Sequence, residues 1–201
     1  GKGWVLGETL ITGIGQGYTQ TTPIQLCLMT AQIANGGYKI KPKILTDDNQ
    51  LTSEQVKKAI QNTSLNEFNI PLYDDQKNIK IIQEAMFSST NELYGTSYKS
   101  RIDDPKYQFA GKTGTAQVKR ISKRERELDL KTFQIPYEER DHALYVAFGP
   151  YKNPRYSLSI IVEHGGSGSS AAAPMATKLF KLIVDRHQYR KQIQDFKEFN
   201  I

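Results

Sequence analysis

The first stretch of the chain with a clear hydrophobic period lies between two turn signals. Thr22-Pro23 offers an N-cap followed by a proline suited to the first helical position, and Asn35-Gly36-Gly37 offers a stop. These signals predict a helix over residues 22–35. Its expected inner face consists of the apolar residues that recur at helical spacing: Ile24, Cys27, Leu28, Ala31, Ile33 and Ala34.

Two further helices follow from the same period. One begins at the acidic pair Asp74-Asp75, which suits a helix N-terminus, and ends near Asn91 or the following Gly95. The other runs from Ala171 to about Gln192. Their expected inner faces are Ile79, Ile82, Ala85 and Met86 in the former and Met175, Leu179, Leu182 and Ile183 in the latter.

Between these helices the pattern changes to one that is typical of strands. Residues 109–118, 142–148 and 156–163 are predicted to be strands, and the turn-rich residues 149–154 join the last two as a hairpin. The sequence therefore predicts an α+β fold, in which helices pack on an antiparallel sheet.

Three segments have weaker patterns. Residues 4–14 are apolar but interrupted by glycine, which predicts a loop with a short extended piece. Residues 38–72 are polar, and a short helix over residues 53–63 is supported by two apolar positions alone. Residues 119–141 are charged and aperiodic, which predicts a long charged loop between strands.

Composition narrows the class of protein. Apolar residues make up 38% of the chain, which is enough apolar surface to exclude a disordered protein. The longest unbroken apolar run, residues 143–148, is far shorter than the roughly 20 residues that a membrane-spanning helix needs. The single cysteine, Cys27, excludes an internal disulfide framework, and three scattered histidines indicate no metal site. No cofactor is expected.

The net charge of +6 raises the question of an anionic partner. Basic residues cluster at 119–126 and 178–197, but acidic residues interrupt both clusters. A solvated surface is therefore the favoured interpretation, and a nucleic-acid binder is the least favoured alternative. Binding to a random DNA duplex that does not weaken with salt would remove that alternative.

Two glycine motifs invite a phosphate-binding interpretation that their context does not support. Gly111-Lys112-Thr113 resembles the end of a P-loop, but Lys106 stands where the first glycine is needed, and the residues that follow look extended. The G-I-G-Q-G sequence at 13–17 matches a dinucleotide fingerprint only in part, because its last glycine is one residue early.

The same lysine begins a segment with a third interpretation. In Lys112-Thr113-Gly114-Thr115, a cation and two hydroxyls could bind a peptide carboxylate, and the glycine would let a substrate lie against the strand as an added strand. A backbone N–H in such a strand can stabilise a tetrahedral oxyanion. Taken alone, the motif equally fits an edge strand that a lysine protects from aggregation.

Five ordered blocks give this motif its context, and together they resemble one family. They are G-I-G-Q-G-Y with T-P-I-Q-L at 13–26, A-N-G-G at 34–37, K-T-G-T-A-Q-V at 112–118, A-F-G-P at 147–150 and E-H-G-G-S-G at 163–168. The chain resembles the C-terminal part of the transpeptidase domain of class B penicillin-binding proteins, of the penicillin-binding protein 2 type that acts in cell elongation. The resemblance is weakest over residues 38–72 and 119–141.

The resemblance implies a fold, a reaction and a set of site residues. The fold would be part of a transpeptidase fold of the penicillin-binding-protein and β-lactamase kind. In this family a serine of an S-x-x-K motif attacks the D-Ala-D-Ala carbonyl of a stem peptide, and β-lactams acylate the same serine. The substrate-binding role of the family's K-T-G-T strand carries over to Lys112, Thr113, Gly114 and Thr115, with Thr115 donating its N–H to the oxyanion. Gly111 and Gln117 are adjacent candidates.

The family's nucleophile is missing from this chain. No serine is followed three residues later by lysine, and the two S-x-N matches, Ser64-Leu65-Asn66 and Ser89-Thr90-Asn91, follow the G-Q-G-Y block instead of preceding it. We interpret both matches as chance. His142 and His164 lie at predicted strand ends, and we expect structural positions there instead of catalytic bases.

Residues 1–201 are accordingly expected to form the C-terminal portion of a single transpeptidase domain whose parent protein is an active serine-type D,D-transpeptidase. The expected partners are stem peptides ending in D-Ala-D-Ala, β-lactams and, through the parent, cell-elongation proteins, without nucleic acid. The expected location is the periplasmic side of the bacterial inner membrane, through an N-terminal anchor of the parent. The alternative is a non-catalytic module that binds a peptide or a partner, or a decayed gene product.

Overall fold

The computed structural model describes residues 3–42, 71–119, 127–128 and 130–199. A mixed fold of helices and a three-stranded sheet is formed by these residues. In chain order its main elements are α1 (Leu6–Gly13), α2 (Pro23–Ala34), α3 (Gln76–Asn91), β1 (Ala110–Ala116), β2 (His142–Gly149), β3 (Tyr156–Val162) and α4 (Ala173–Phe199). The strands are antiparallel in the order β1-β2-β3, so the expected α+β architecture is confirmed.

Helix α2 forms where its caps predict it. The Thr22 hydroxyl accepts a hydrogen bond from the backbone N–H of Gln25, and the Gln25 side chain accepts one from the N–H of Thr22. The Cys27 thiol lies 3.3 Å from the Ser157 hydroxyl and so joins α2 to β3. Ile24 is 52% exposed, so the expected inner face is wrong at its N-terminal end.

Helix α3 also begins at the predicted acidic pair, where the Asp75 carboxylate accepts from the backbone N–H of Lys77. Its buried residues are Ile79, Met86 and Thr90, whereas the expected Ile82 is 41% exposed. The buried face of α3 differs from the expected one because polar side chains make part of its contacts with the rest of the fold. Among them, the amide of Gln83 donates to the carbonyl of Ile33.

Helix α4 covers one face of the sheet with small residues. Ala173 and Ala176 are fully buried beside Phe180, whose ring stacks on Phe109 with centroids 4.8 Å apart. The expected inner face is wrong at Met175, Leu179 and Leu182, which are exposed, while Ile183 is half-buried. Alanine permits close approach to the sheet, and Leu182 is left 67% exposed.

Residues 6–13 form a helix, which corrects the prediction of a loop over residues 4–14. The Glu8 carboxylate accepts from the backbone N–H of Val5 and so caps the first turn. The interrupting Gly7 lies inside this helix. Helix α1 buries none of its residues among those described, and Leu6 is 77% exposed.

The sheet separates two apolar clusters. Phe109, Tyr145 and Phe180 belong to the cluster beneath α4, and Ile33 and Phe148 to the cluster beneath α2 and α3. Central β2 supplies alternate side chains to both clusters. The sheet is thereby fixed on both faces, while β1 stays at its edge.

The connecting segments are only partly described. The predicted helix over residues 53–63 lies outside the described residues, and Tyr38 pairs with Pro71 where the chain returns. Within the predicted charged loop, Thr132–Gln134 and Tyr137–Glu139 form short 3₁₀ turns, and Lys119 pairs with Glu139 at 2.6 Å. No described helix has the length and apolar character required to cross a membrane.

Candidate functional site

The predicted K-T-G-T segment lies on β1, at the edge of the described sheet. Gly111 opposes Ala147 on β2, and Thr115 opposes Ala143. Lys112 and Thr115 are exposed, while Thr113 and Gly114 are half-buried. The strand continues through the Lys112-Thr113 pair to Ala116, and no helix follows it there. The expectation that this segment is not a P-loop is therefore confirmed.

Among the described residues, side chains from α3 cover the outer edge of β1 at its N-terminal end. The Asn91 amide donates to the carbonyl of Phe109, and the Thr90 hydroxyl donates to the carbonyl of Gly111 at 3.4 Å. Alternate residues of an antiparallel strand turn both backbone groups to the same side. The backbone groups of Thr113 and Thr115 therefore point towards the outer edge beyond the part that α3 covers.

The four motif residues divide between the two faces of β1, as strand alternation requires. Lys112 and Gly114 share one face, and Thr113 and Thr115 share the other. The Lys112 ammonium group donates to the carbonyl of Thr113 at 2.9 Å, so it lies along the outer edge of the strand. A cation, hydroxyls and outward-pointing backbone N–H groups are thus brought together at this edge.

The two glycines of this strand have different surroundings. A Cβ at Gly111 would lie 2.5 Å from Cζ of Tyr145, so packing requires glycine at this position. A Cβ at Gly114 would meet Leu144 Cβ at 3.4 Å as its nearest neighbour, which is close to ordinary contact. Packing accounts for Gly111, whereas the side of the strand at Gly114 stays accessible.

Gly168, a glycine outside the predicted site, packs against the backbone of Gly114. Gly168 begins a single π-helical turn, Gly168–Ala172, and a Cβ there would lie 2.7 Å from the carbonyl oxygen of Gly114. The turn therefore packs directly on the backbone of β1. The sequence predicts only that Gly168 belongs to a flexible turn, because Gly114, against which it packs, is more than fifty residues away.

A buried group of hydroxyls lies behind Gly111. Tyr145 and Thr90 are both 0% exposed, and the Tyr145 hydroxyl lies 3.0 Å from the hydroxyls of Thr90 and Ser97. Burial raises the pKa of the Tyr145 phenol, and the hydrogen bonds with Ser97 and Thr90 act in the opposite direction. The phenol is therefore a neutral hydrogen-bonding group that links β2 to the end of α3.

Tyr145→Phe is expected to lower the free energy of unfolding of the chain by about 1–3 kcal/mol, because it leaves two buried hydroxyls with a lost partner. Tyr107→Phe is the matched control, since its hydroxyl contacts Asp185 at the surface. Its effect should stay below about 1 kcal/mol. Equal losses from the two variants in denaturant unfolding at neutral pH would contradict this role of Tyr145.

The same phenol predicts a pH dependence. Because its pKa is raised from 10.0 in the folded state, its contribution to stability is complete below pH 10 and is lost as pH rises through the folded pKa. The difference in unfolding free energy between the wild type and Tyr145→Phe should therefore shrink above pH 10. A difference that grows with pH would show that the phenol is charged in the folded state.

The remaining sequence candidates have structural positions. His142 Nδ1 accepts from the backbone N–H of His164, and His164 Nδ1 contacts the carbonyl of Arg140 at 3.0 Å. Both rings thus hold the turn after β3. Gln117 lies exposed just beyond β1.

One of the two S-x-N matches lies among the described residues, and its asparagine has a structural contact. Asn91, in the match that begins at Ser89, uses its amide to join α3 to β1, and the match at 64–66 lies outside the described residues. Within the described part of the chain no group of three or more acidic, histidine or cysteine side chains could hold a metal ion.

Comparison with known proteins gives consistent matches over most of the chain. A family model described as the penicillin binding protein transpeptidase domain matches residues 1–181. Peptidoglycan D,D-transpeptidase MrdA of Haemophilus influenzae is 32% identical over 208 residues, covering 98% of this chain and 30% of that protein. MrdA of Acinetobacter baumannii is 36% identical, covering 84% of this chain and 23% of that protein. The chain thus spans less than a third of the length of these relatives.

Solved structures agree with the sequence matches. The penicillin-binding protein PBP2 of Helicobacter pylori, in complex with MreC, has a TM-score of 0.66 at 30% identity over 92% of this chain and 28% of its own. PBP2 of Pseudomonas aeruginosa, in complex with WCK 5153, has a TM-score of 0.60 at 33% identity over 90% of this chain and 34% of its own. The expected fold and the resemblance to the penicillin-binding protein 2 type are confirmed.

Proposed function

The chain belongs to the family of penicillin-binding protein transpeptidase domains, and from that premise we propose that residues 1–201 are the C-terminal portion of one such domain. The parent protein is a serine-type peptidoglycan D,D-transpeptidase of the cell-elongation type. It cross-links stem peptides through an acyl-enzyme and is acylated by β-lactams.

The observation that carries this proposal is the outer edge of β1 at Thr113–Thr115, which is open in that no described strand pairs with it. A stem peptide ending in D-Ala-D-Ala would lie along this edge as an added strand, where backbone pairing provides affinity. Lys112, Thr113 and Thr115 would supply a cation and two hydroxyls to its carboxylate. Gly114 would allow close approach, and the N–H of Thr115 would stabilise the oxyanion.

In this proposal the chain binds and orients the substrate but does not form the acyl-enzyme. A covalent intermediate requires a nucleophile and a group that activates it, and the S-x-x-K motif that supplies both in the family is absent from residues 1–201. The parent must supply them from a segment outside this chain.

Fluorescent penicillin provides the test. The isolated chain is expected to give no covalent adduct, while the full-length protein with its S-x-x-K segment gives a stoichiometric one, mapped by mass spectrometry to that serine. An adduct on any serine of the isolated chain would contradict the division of roles. A full-length protein that is not acylated would contradict the proposed function itself.

The gene sequence provides a further test that distinguishes an active parent enzyme from a non-catalytic module. An open frame that encodes S-x-x-K and then S-x-N upstream of Gly1 is expected. A stop codon between those motifs and Gly1 would favour a separate binding module or a decayed gene product, which the comparisons do not favour.

Location and partners follow from the parent protein. We propose that the domain acts on the periplasmic side of the bacterial inner membrane, attached through an N-terminal anchor of the parent. Its partners are the stem peptides, β-lactams and cell-elongation proteins. The complex of Helicobacter pylori PBP2 with MreC supports a protein partner for the parent.

A further inference from the structure

Three hydroxyls form a chain that leads to the open edge of β1. The Thr96 hydroxyl lies 3.1 Å from the Thr113 hydroxyl and 3.2 Å from the Ser89 hydroxyl. Thr96 is exposed, in the turn that follows α3, and Thr113 is half-buried on β1. The K-T-G-T motif does not include Thr96, which nevertheless lies beside one of its hydroxyls.

The number of protons available determines the direction of the hydrogen bonds among these three hydroxyls. Each hydroxyl has one proton to donate and can also accept, whereas an ionised carboxylate only accepts. When Thr113 donates its proton to a carboxylate, the contact between Thr113 and Thr96 must be donated by Thr96. Thr96 then accepts from Ser89. The direction Ser89 to Thr96 to Thr113 to carboxylate satisfies every contact and strengthens the last donor.

The turn that carries Thr96 is held firmly. The backbone N–H and the hydroxyl of Ser97 both donate to the carbonyl of Ser89, each at 3.0 Å. A Cβ at Gly95 would lie 2.6 Å from the carbonyl oxygen of Ser88, so the turn lies directly on α3. Ser97 also contacts the buried Tyr145 hydroxyl. These contacts with α3 and Tyr145 therefore fix the position of Thr96 relative to β1.

We propose that Thr96 is a positioning residue for substrate recognition: it donates its proton to Thr113 and thereby directs the Thr113 hydroxyl at the carboxylate of the stem peptide or β-lactam. This inference rests on the proposed function of β1. Thr96 itself acts through Thr113 and needs no contact with the substrate.

The test uses the full-length protein and benzylpenicillin, with the dissociation constant of the pre-acylation complex and the acylation rate constant measured separately. Loss of one neutral hydrogen bond predicts that Thr96→Val weakens binding roughly three- to tenfold. The acylation rate constant should stay within about twofold, because the carboxylate contact is present before and during acylation. Thr96→Ser keeps the hydroxyl and should restore binding to within about twofold of the wild type.

A double-mutant cycle separates positioning from general disturbance. In a Thr113→Val background, Thr96→Val should cause no further loss, because its only route to the substrate is gone. Thr30→Val is the matched control: it removes a buried hydroxyl that donates to the carbonyl of Leu26 within α2, and it should leave binding unchanged. Thr96→Ala provides a second hydroxyl-free variant should the valine disturb the turn.

Each outcome decides the inference. Unchanged binding in Thr96→Val and Thr96→Ala, losses that add to that of Thr113→Val, failure of Thr96→Ser to restore binding, or a loss confined to the acylation rate constant would each overturn it. A wild-type protein that is not acylated at all would instead overturn the proposed function. The inference and the function on which it rests therefore fail in distinguishable ways.

Discussion

Replacement of Lys112 by alanine in the full-length protein is expected to lower the second-order rate constant of acylation by a penicillin roughly tenfold to a hundredfold. The exposed Lys112 ammonium group lies along the outer edge of β1, where the carboxylate is proposed to bind. A hydrogen bond that involves a charged group contributes about 1.5–3 kcal/mol. About 1.4 kcal/mol corresponds to a factor of ten in an equilibrium or rate constant.

The control for this prediction is Lys152→Ala. Lys152 is an exposed lysine in the connection between β2 and β3, so its loss changes the net charge equally without touching β1. The melting temperature should be nearly unchanged in both variants. Acylation at the wild-type rate in Lys112→Ala, or an equal loss in Lys152→Ala, would contradict the assigned role of Lys112.

The second large effect separates the two glycines of β1. Gly111→Ala places a methyl group 2.5 Å from Cζ of the fully buried Tyr145. Forced overpacking of this kind costs about 1–3 kcal/mol and occasionally more, and the variant should unfold at markedly lower denaturant or accumulate poorly.

Gly114→Ala is the matched substitution three residues along the same strand, and it should behave differently. Its Cβ meets nothing nearer than Leu144 Cβ at 3.4 Å, so stability should change by less than about 1 kcal/mol. Acylation should still fall roughly tenfold, because a substrate held against the strand would be displaced. Equal stability of the two variants, or wild-type acylation in Gly114→Ala, would contradict this distinction.

Local sequence signals predict where the helices and strands form better than they predict which side chains those elements bury. The Thr22 cap, the acidic pair Asp74-Asp75 and the apolar run of β2 are local signals, and each element forms where it is predicted. The buried faces of α3 and α4 depend on distant partners. Hydrophobicity favours Leu182 over the small Ala176, although close approach to the sheet requires alanine.

Helix α1 is an element that the local sequence signals do not predict. Its glycines predict a loop, whereas residues Leu6–Gly13 form a helix whose first turn is capped by Glu8. A helix that buries none of its residues among those described has no packed face from which a period could be recognised.

The candidate site was predictable only in its motif. Four consecutive residues of β1 were identified from their residue types and from their order among the other blocks. Thr96, Tyr145 and Gly168 were not, because each reaches β1 from a different part of the chain. A glycine beside hydroxyl residues, as at Gly95-Thr96-Ser97, was the one local signal for the turn that supports Thr113.

The open edge of β1 is the central claim, and amide hydrogen exchange tests it most directly. The full-length protein is acylated with benzylpenicillin, and exchange at Thr113 and Thr115 is compared with that of the unacylated protein. At least about tenfold slower exchange is expected at these two amides, because a bound acyl group covers them and accepts from Thr115, while exchange in α4 stays unchanged. Unaltered exchange at both amides in a fully acylated protein would contradict the account.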